Sequence, residues 1–564
     1  MARSKRVVIV GGVAAGPKVA ARLMRLEPEA HVTIVERGTF MSYAGCGLPY
    51  YVAGDISDHA ELMCTPLGEV RDPVFFREAK RLAVHNRTAA LKIDRAGNRL
   101  LIQDVDDGAE RWLEYDKLVL CTGGQPVVPA PLSGSDLPQV YCLHGVEDAE
   151  GIKAELAGDR ALDVTIIGGG LVAVEVTEAL VKKGCRVTML EEQENILNLL
   201  DAEMAALVRR HLESHGVRIL TGTGVHSIQP EDGRVAAVRT QDDKLIPADM
   251  VVLAGGVAPN VDLAEEAGLN IGETGGIVVN EVMRTSDHDI YAAGDCVETR
   301  HLVSGQPTYF PRGSTANRMG RVVANAICGV DDHFPGVVES AICKVFDFNV
   351  ARTGLNERQA REAGFEVETV LAPGPDRPHF MPEASTLLIK LVLDRPSRRL
   401  LGVQALGPGE ADRRVDVAAV AVTMGWTVDQ LANADLTYAP PYSPAPDNLL
   451  TACNVARNKL GGLFRSLTPA QVQSRLGGDD LFLLDVRSAD EVAQAGGIAG
   501  AVNIPLHALR DRLDEVPRDR DVVTFCKISL KGYEAALVLN QEGFEQVHVM
   551  DGGVLNWPFE IVEV

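Results

Sequence analysis

The sequence predicts an α/β fold with two Rossmann-like dinucleotide-binding units and a separate C-terminal α/β segment. Three observations carry this. A strand, a glycine turn, a helix and a second strand ending in an acid occupy residues 6–36. The same order returns at residues 163–191, and short strands alternate with helices over about the last 100 residues. The chain has 564 residues, room for several domains of roughly 100–200 residues each.

The first unit opens with RVVIVGGVAAGPKVAARLMRL, read as strand, tight turn and helix, and continues with the strand HVTIVER. Gly11 and Gly16 hold the outer positions of the turn, Gly12 and Ala15 lie between them, and Val13 takes the middle position of the motif. Glycines let the backbone approach a pyrophosphate at the helix N-terminus, and an acid about 20 residues on, here Glu36, takes a ribose hydroxyl. The second unit, DVTIIGGGLVAVEVTEALVKKGCRVTMLEE, has Gly168, Gly170 and Ala173 at the three positions and Glu191 at the end of its next strand. An acid there favours NADH, since the additional phosphate of NADPH would meet a negative charge. Glu192 strengthens this and Arg186 offsets it only slightly.

Two further glycine turns end apolar strands: LVLCTGGQP with Thr122 and Gly123, and VVLAGGVAPN with Gly255, Gly256, Pro259 and Asn260. TSDHDIYAAGDC then places Gly294 and Asp295 after a strand. Residues 446–466, polar and glycine-containing, read as a linker. Beyond them LFLLDVR, GGIAGAVNIPL, DVVTFCKISLKGYEAALVL and VHVMDGGVLNW supply the alternating strands and helices.

Bulk properties narrow the functional classes. A formal net charge of −23 argues against nucleic acid as a partner, because phosphate contacts need clustered Lys and Arg, while one basic pocket remains compatible with it. The N-terminal apolar run ends in a glycine turn and a basic helix, so it reads as a first strand and not a signal peptide. No stretch of ~18 apolar residues exists, so no membrane span is expected. The ten cysteines are scattered without a CxxC pair. That spacing signals neither a metal site nor a vicinal redox pair, and reduced thiols in a cytoplasmic protein are expected.

The order of these segments resembles the flavoprotein disulfide reductases with two dinucleotide-binding domains, over residues 1 to about 450. The C-terminal segment resembles a rhodanese domain, on Asp485–Arg487, GAVNIP, Cys526 after a strand, and the GG…W ending at Trp557. The resemblance implies an FAD-binding domain in two parts, 1–146 and 266–328, with an NADH-binding domain at 147–265 between them. An α+β dimerisation domain at 329–448 and a rhodanese domain at 466–564 follow. It implies that Gly11, Gly12, Ala15, Gly16, Glu36, Arg37, Ser42, Thr122, Gly123, Gly294, Asp295 and Ala316 contact FAD, with Asp295 on the ribityl chain. Gly168, Gly170, Ala173, Glu191 and Gly256 would contact NADH, and two chains would pair as a homodimer.

Cys46, in MSYAGCGLPYY, stands where the wider group has two cysteines. A lone thiol closes no disulfide with a neighbour and must cycle through a mixed disulfide, a persulfide or a sulfenic acid. The oxidase and peroxidase branch carries a histidine in the helix after the first glycine turn, and GGVAAGPKVAARL has none. That points to the coenzyme A branch. Lys18, Arg22 and Arg25 share one helical face at i, i+4 and i+7 and are candidates for the phosphates of coenzyme A, as is Arg71. PRGSTANRMGR places Ala316, Asn317, Arg318, Gly320 and Arg321 at a helix start that the resemblance puts near flavin and substrate. Tyr438, in DLTYAPPYSP, matches a tyrosine that reaches across the dimer to the reactive cysteine, with Tyr442 the lesser candidate. Its phenol would give a proton or hydrogen bond to a leaving thiolate. Phe380 and Met381 occupy the region of a second family tyrosine, with His379 beside them, so that hydroxyl is missing.

Cys526 opens the loop CKISLKG, which in a rhodanese wraps the sulfur with inward N–H groups. Lys531 replaces the usual arginine at the loop's end, and Lys527 adds a second cation; both favour a thiolate. Asp485 and Arg487 read as fold residues. The whole chain resembles the fusion of a coenzyme A disulfide reductase with a rhodanese domain, the class of NADH-dependent persulfide reductases. The resemblance implies hydride transfer from NADH through FAD to Cys46, whose thiolate attacks a coenzyme A persulfide, a polysulfide or coenzyme A disulfide, while Cys526 carries sulfane sulfur. The alternatives are an NADH oxidase or peroxidase, and a flavin redox sensor with a sulfur-carrier domain.

Overall fold

The structure, a computed structural model, describes residues 4–128, 132–158 and 160–563. The first three residues and the last, the outer limits of the expected first and last domains, lie outside the described residues. The chain divides into two compact units, Met1–Glu194 with Gly216–Val337, and Asn195–His215 with Val338–Val564.

The first unit contains two parallel five-stranded sheets built alike. One has the order Ile290–Ala292, Lys117–Leu120, Arg6–Val10, His31–Val35, Ala83–His85. The other runs Arg218–Leu220, Arg186–Leu190, Asp163–Ile167, Met250–Leu253, Val140–Tyr141. Strands covered on both faces read as unbroken apolar runs, and Val7, Val8 and Ile9 are buried accordingly. Each parallel sheet is accompanied by a three-stranded antiparallel sheet, of residues 88–114 and 225–247 respectively. The helix Ala15–Leu26 packs against the helix Gly313–Ile327. Their approach depends on Gly320, where a Cβ would come within 2.8 Å of the Ala15 carbonyl.

The second unit holds a five-stranded antiparallel sheet ordered Ala341–Val345, Phe348–Gly354, Leu400–Gly407, Thr386–Asp394, Val367–Pro375. The helices Ala411–Thr423 and Asn448–Leu460 cover it. The second helix corrects the expectation of a linker at 446–466. Leu449, Ala452, Cys453 and Ala456 are fully buried, an i, i+3, i+4, i+7 stripe whose small residues hid it among polar neighbours. Lys390, wholly buried, meets Asp201 at 2.8 Å and Glu357 at 3.2 Å, with Glu203 closest of all. Burial alone would push its ammonium down, but the three carboxylates together hold it above its ordinary value. These contacts fasten the helix Ala202–Ser214 to the sheet. The C-terminal domain is a parallel sheet ordered Ser466–Leu467, Val547–Met550, Asp521–Phe525, Leu481–Asp485, Val502–Asn503. Among the described residues no helix is long and apolar enough to cross a membrane, and all ten cysteines are free thiols.

Candidate functional site

The two glycine turns have the same geometry. Gly11 has φ +109° and Gly168 φ +113°, in the region that favours glycine. A Cβ at Gly11 would lie 2.0 Å from the Cys121 carbonyl oxygen, and one at Gly168 2.3 Å from that of Ala254. At Gly16 a Cβ would lie 1.9 Å from the Gly11 carbonyl, so only glycine fits. Ala173 is fully buried at the corresponding place. Glu36 accepts from the N–H groups of Gly12 and Gly38 at 2.6 Å each. Glu191 accepts from those of Gly169 at 2.6 Å and Gln193 at 2.8 Å. Both acids are thereby fixed at the rim of their turns.

Several of the residues expected around FAD lie against one another. Gly294, at φ +89°, faces the Cβ atoms of Ala15 and Ala316 at 3.3 and 3.7 Å from its own notional Cβ. Ser42, buried and left-handed at φ +51°, donates its N–H to the Gly12 carbonyl at 2.8 Å. Thr122 Oγ1 donates to the Asn260 carbonyl at 2.7 Å, which pins its turn, and Gly123 has open space before it. Arg37 is exposed. Asp295 takes a hydrogen bond from the Arg312 backbone, and burial pushes its carboxyl up. Among the described residues, Tyr309 Oη is buried without a hydrogen-bond partner. Such a glycine cradle, a half-buried carboxyl and a hydroxyl without a protein partner fit a polyhydroxylated dinucleotide, here FAD. On the other sheet, Gly170 and Gly256 face open space, and fixed Glu191 suits a nicotinamide dinucleotide in the same way.

Cys46 sits on the 3-10 turn Gly45–Gly47, ahead of the helix Leu48–Ala53, and is exposed. That short helix packs against Leu171–Lys182, whose Glu175 faces the thiol. Enough protein surrounds the sulfur for burial to push the thiol up; Glu175 and Asp295 add to this and Arg312 opposes it. Glu175 is itself raised to about 7, by burial first and by Glu178, against the pull of Arg312. Among the described residues, Arg312 Nε is buried without a hydrogen-bond partner. Sequence reasoning missed Glu175 and Arg312. The signals were there: an acid two residues past Ala173 between Val174 and Val176, and an arginine heading the segment that carries Ala316.

The basic candidates are placed as follows. Lys18 lays its stem against Gly320. Arg22 donates to Asn325 Oδ1 at 2.9 Å, and Arg71 to the Met63 carbonyl at 2.8 Å. Asn317 donates to the Gly313 carbonyl at 2.8 Å. Arg321 lies 3.9 Å from Asp332. In the second unit Tyr438 and Tyr442 are exposed, 54% and 63%. Arg413 holds their turn through the Thr437 and Tyr442 carbonyls, at 3.0 Å each. His379 and Phe380 are exposed neighbours in edge-on contact.

Cys526 directly follows the strand Asp521–Phe525 and is 2% exposed. Among the described residues, the N–H groups of Lys527, Ile528 and Ser529 find no protein acceptor. The loop is closed from outside. Val554 N–H donates to the Cys526 carbonyl at 3.0 Å, and Leu555 N–H to that of Lys527 at 3.2 Å. Gly553, at φ +62°, makes this approach possible, since a Cβ there would lie 2.4 Å from the Cys526 oxygen. Asp485 and Arg487 form a buried pair. Lys531 meets Glu491 at 2.9 Å, and this ion pair holds the Glu491 carboxyl down at about 2. Cys526 opens on a cavity of about 270 Å³ lined by Lys527, Ile528, Lys531 and Glu491, with Gly374, Pro375 and Thr386 of the antiparallel sheet on its other wall.

Comparison with known proteins accounts for all three parts. The chain matches the pyridine nucleotide-disulphide oxidoreductase family over residues 5–320, that family's dimerisation domain over 340–450, and the rhodanese-like domain over 468–558. It is 37% identical over 454 residues to the NAD(P)H sulfur oxidoreductase (CoA-dependent) of Pyrococcus abyssi, covering 80% of this chain and 98% of that one. It is similar to the structure of the NAD-dependent persulfide reductase from A. fulgidus, with a TM-score of 0.93 and 43% identity, covering 98% of this chain and 100% of the other. Reduced Bacillus anthracis CoADR-RHD aligns with a TM-score of 0.91 and 36% identity, over 98% of each chain. FAD is the standard cofactor of this group of enzymes. The chain therefore belongs to the pyridine nucleotide-disulphide oxidoreductase family, with a dimerisation domain and a C-terminal rhodanese-like domain.

Proposed function

We propose that this protein is an FAD-dependent NADH reductase of coenzyme A persulfide, polysulfide and coenzyme A disulfide, working through the single thiol Cys46 as a cytoplasmic homodimer. The observation that carries the reading is one exposed thiol beside a dinucleotide cradle, on the same chain as a second thiol enclosed in an N–H-rich loop. An enzyme for disulfides alone would have no use for the second thiol. The relatives named for coenzyme A-dependent sulfur and persulfide reduction support the same substrates.

When bound, FAD passes the two electrons of NADH hydride to sulfur. Cys46 thiolate attacks the inner sulfur of coenzyme A persulfide; the S–S bond breaks and, with one proton, hydrosulfide leaves. Cys46 is then joined to coenzyme A in a mixed disulfide, and two electrons reopen it to Cys46 thiolate and coenzyme A thiolate. The sum is persulfide, NADH and a proton giving thiol, hydrogen sulfide and NAD⁺. Arg312 favours the thiolate, while Glu175, near neutrality, is suited to hold the proton that hydrosulfide takes. Tyr438 of a second copy would donate a hydrogen bond to the leaving sulfur. Lys18, Arg22, Arg71, Asn317 and Arg321 are the candidates for coenzyme A. Glu191 sets the preference for NADH, and Arg186 is committed to a two-pronged pair with Asp163 at 2.6 Å, which leaves it no role at a ribose phosphate. In the rhodanese loop Lys527 and the N–H groups would hold the Cys526 persulfide, with Lys531 at the loop's end.

The test is anaerobic NADH consumption with coenzyme A persulfide, with coenzyme A disulfide and with polysulfide, for the native chain, Cys46→Ser and Cys526→Ser. Loss of all three with Cys46→Ser, and of polysulfide turnover alone with Cys526→Ser, is the expected pattern. Full activity of Cys46→Ser would sink the reading. Slow turnover of every substrate would favour the redox sensor, and faster oxygen consumption than persulfide reduction would favour the oxidase.

A further inference from the structure

In the second unit the helix Ala202–Ser214 ends beside the hairpin formed by Ala341–Val345 and Phe348–Gly354. His211 and His215, one helical turn apart, both project toward Asp347 at the tip of that hairpin. His211 Nε2 is 2.9 Å from Asp347 Oδ1, and His215 Nε2 is 4.0 Å from the same oxygen. One donor atom from each of the three residues lies within 4.8 Å of the others. The rings are held in place by stacking. His211 lies flat on Phe348, with centroids 3.7 Å apart and planes at 12°. His215 lies flat on Phe346, at 4.0 Å and 4°.

The hydrogen-bond chemistry of the cluster is incomplete. His215 Nδ1 is 2.9 Å from the His211 carbonyl. A carbonyl only accepts, so Nδ1 carries the proton and the neutral ring turns a bare Nε2 lone pair toward Asp347. His211 Nε2, on a side chain only 10% exposed, is buried against Asp347 Oδ1 at 2.9 Å but off the direction of a good hydrogen bond. Two ring nitrogens thus face an acceptor-only carboxylate. A cation between them would take the two ring nitrogens and the carboxylate oxygen as three ligands. Paired histidines at i and i+4 on one helix face, each aligned by its surroundings, present this kind of donor set. Two imidazoles and one carboxylate suit a borderline divalent transition ion, and Zn(II) in particular, whereas calcium and magnesium want oxygen alone.

We propose that His211, His215 and Asp347 bind one Zn(II) per chain, with solvent as the fourth ligand. Asp347 is 69% exposed and His215 35%, so the ion enters from water. The site is structural. It clips the C-terminal end of a helix whose other end already holds Lys390 through Asp201 and Glu203. The same helix donates from Arg210 to the Trp557 carbonyl at 2.8 Å, so the clip would steady a contact with the rhodanese-like domain. The scattered cysteines gave no warning of it, because the ligands are two histidines of a helix and an aspartate about 130 residues later.

The experiment is a Zn(II) titration of the flavin-loaded full-length protein, stripped with chelator, against a chromophoric competitor. His215→Gln and Asp347→Asn are titrated alongside, with flavin absorbance and circular dichroism showing that both are folded. The native chain should bind one ion more than either variant, or bind its tightest ion about tenfold or more tightly, the least that loss of a ligand costs. Zn(II) should also raise the melting temperature of the native chain by roughly 2–4 °C and leave His215→Gln unmoved. The thiols are common to all three proteins, so whatever they bind cancels in the difference. Equal stoichiometry and affinity in native chain and variants, or an equal rise in melting temperature, would overturn the proposal in favour of a plain histidine–aspartate ion pair.

Discussion

Cys46 sits exposed on a short turn among carboxyl groups, with Arg312 as an opposing cation. Cys526 directly follows a buried strand at 2% exposure, ringed by N–H groups that the protein leaves unused. The contrast teaches that a reactive thiol can be prepared in two ways. At Cys526 the N–H dipoles of a loop lie around the sulfur before any ligand arrives. At Cys46 the protein alone disfavours the charge, so thiolate is suited to appear when a cofactor or an anionic substrate changes the balance. An open thiol fits a bulky disulfide partner, and an enclosed one fits a single transferred sulfur atom.

The strongest way to break this comparison is to exchange the roles. Cys46→Ser should lower NADH-dependent reduction of every substrate by at least about a thousandfold, as removal of a nucleophile does, and Cys526→Ser should spare coenzyme A persulfide. Equal losses from the two variants, read from initial rates, would erase the distinction. Next in size is Gly553→Ala. The added methyl meets the Cys526 and Lys527 carbonyls at 2.4 and 2.7 Å in a left-handed backbone, so it should cost about 1–3 kcal/mol. Calorimetry should place the loss in the rhodanese-like domain, with coenzyme A disulfide turnover intact.

A subtler test concerns the charges around Cys46. Glu175 changes state near 7. Below that it is neutral and leaves the thiol alone; above it, its negative charge holds the thiolate back. Glu175→Gln should therefore speed alkylation of Cys46 severalfold above about pH 8 and leave it unchanged below about pH 6. Arg312→Met removes the opposing charge and should slow alkylation at all these values. Identical pH–rate curves for native and both variants would show that neither charge reaches the sulfur.

Much of this was legible in the sequence, for physical reasons. A glycine needed because a carbonyl passes 2.0 Å from its missing Cβ leaves a mark at one position, and so do Gly11, Gly168 and the acids Glu36 and Glu191. Contacts assembled from distant segments leave no such mark. Glu175 and Arg312 acquire meaning only when two helices and a loop meet around Cys46. The helix Asn448–Leu460 escaped because its buried stripe is built from alanine and cysteine as much as leucine. The Lys531–Glu491 pair joins residues forty apart, on two different helices.

That pair lines the cavity beside the rhodanese loop. Lys531 and Glu491 are 45% and 39% exposed, so water screens them and Lys531→Ala should cost only about 0.2–1 kcal/mol of stability. The sign with pH follows from Glu491, held down at about 2 mainly by Lys531. A carboxylate lowered on folding stabilises above its unfolded value of about 4.3 and loses that contribution as pH falls toward the folded one. The melting difference between native chain and Lys531→Ala should be present at neutral pH, shrink through the acid range and vanish near the folded value; a difference that persisted there would place Lys531 against some other partner. The same geometry bears on sulfur transfer. On the proposed reading, with its charge turned to Glu491, Lys531 would add little at the sulfur, and the N–H groups of Lys527, Ile528 and Ser529 would be the anion's partners. Lys531→Ala should then keep most of the sulfur-transfer rate that Gly553→Ala loses, and the reverse order would mean that the cation, not the loop backbone, prepares Cys526.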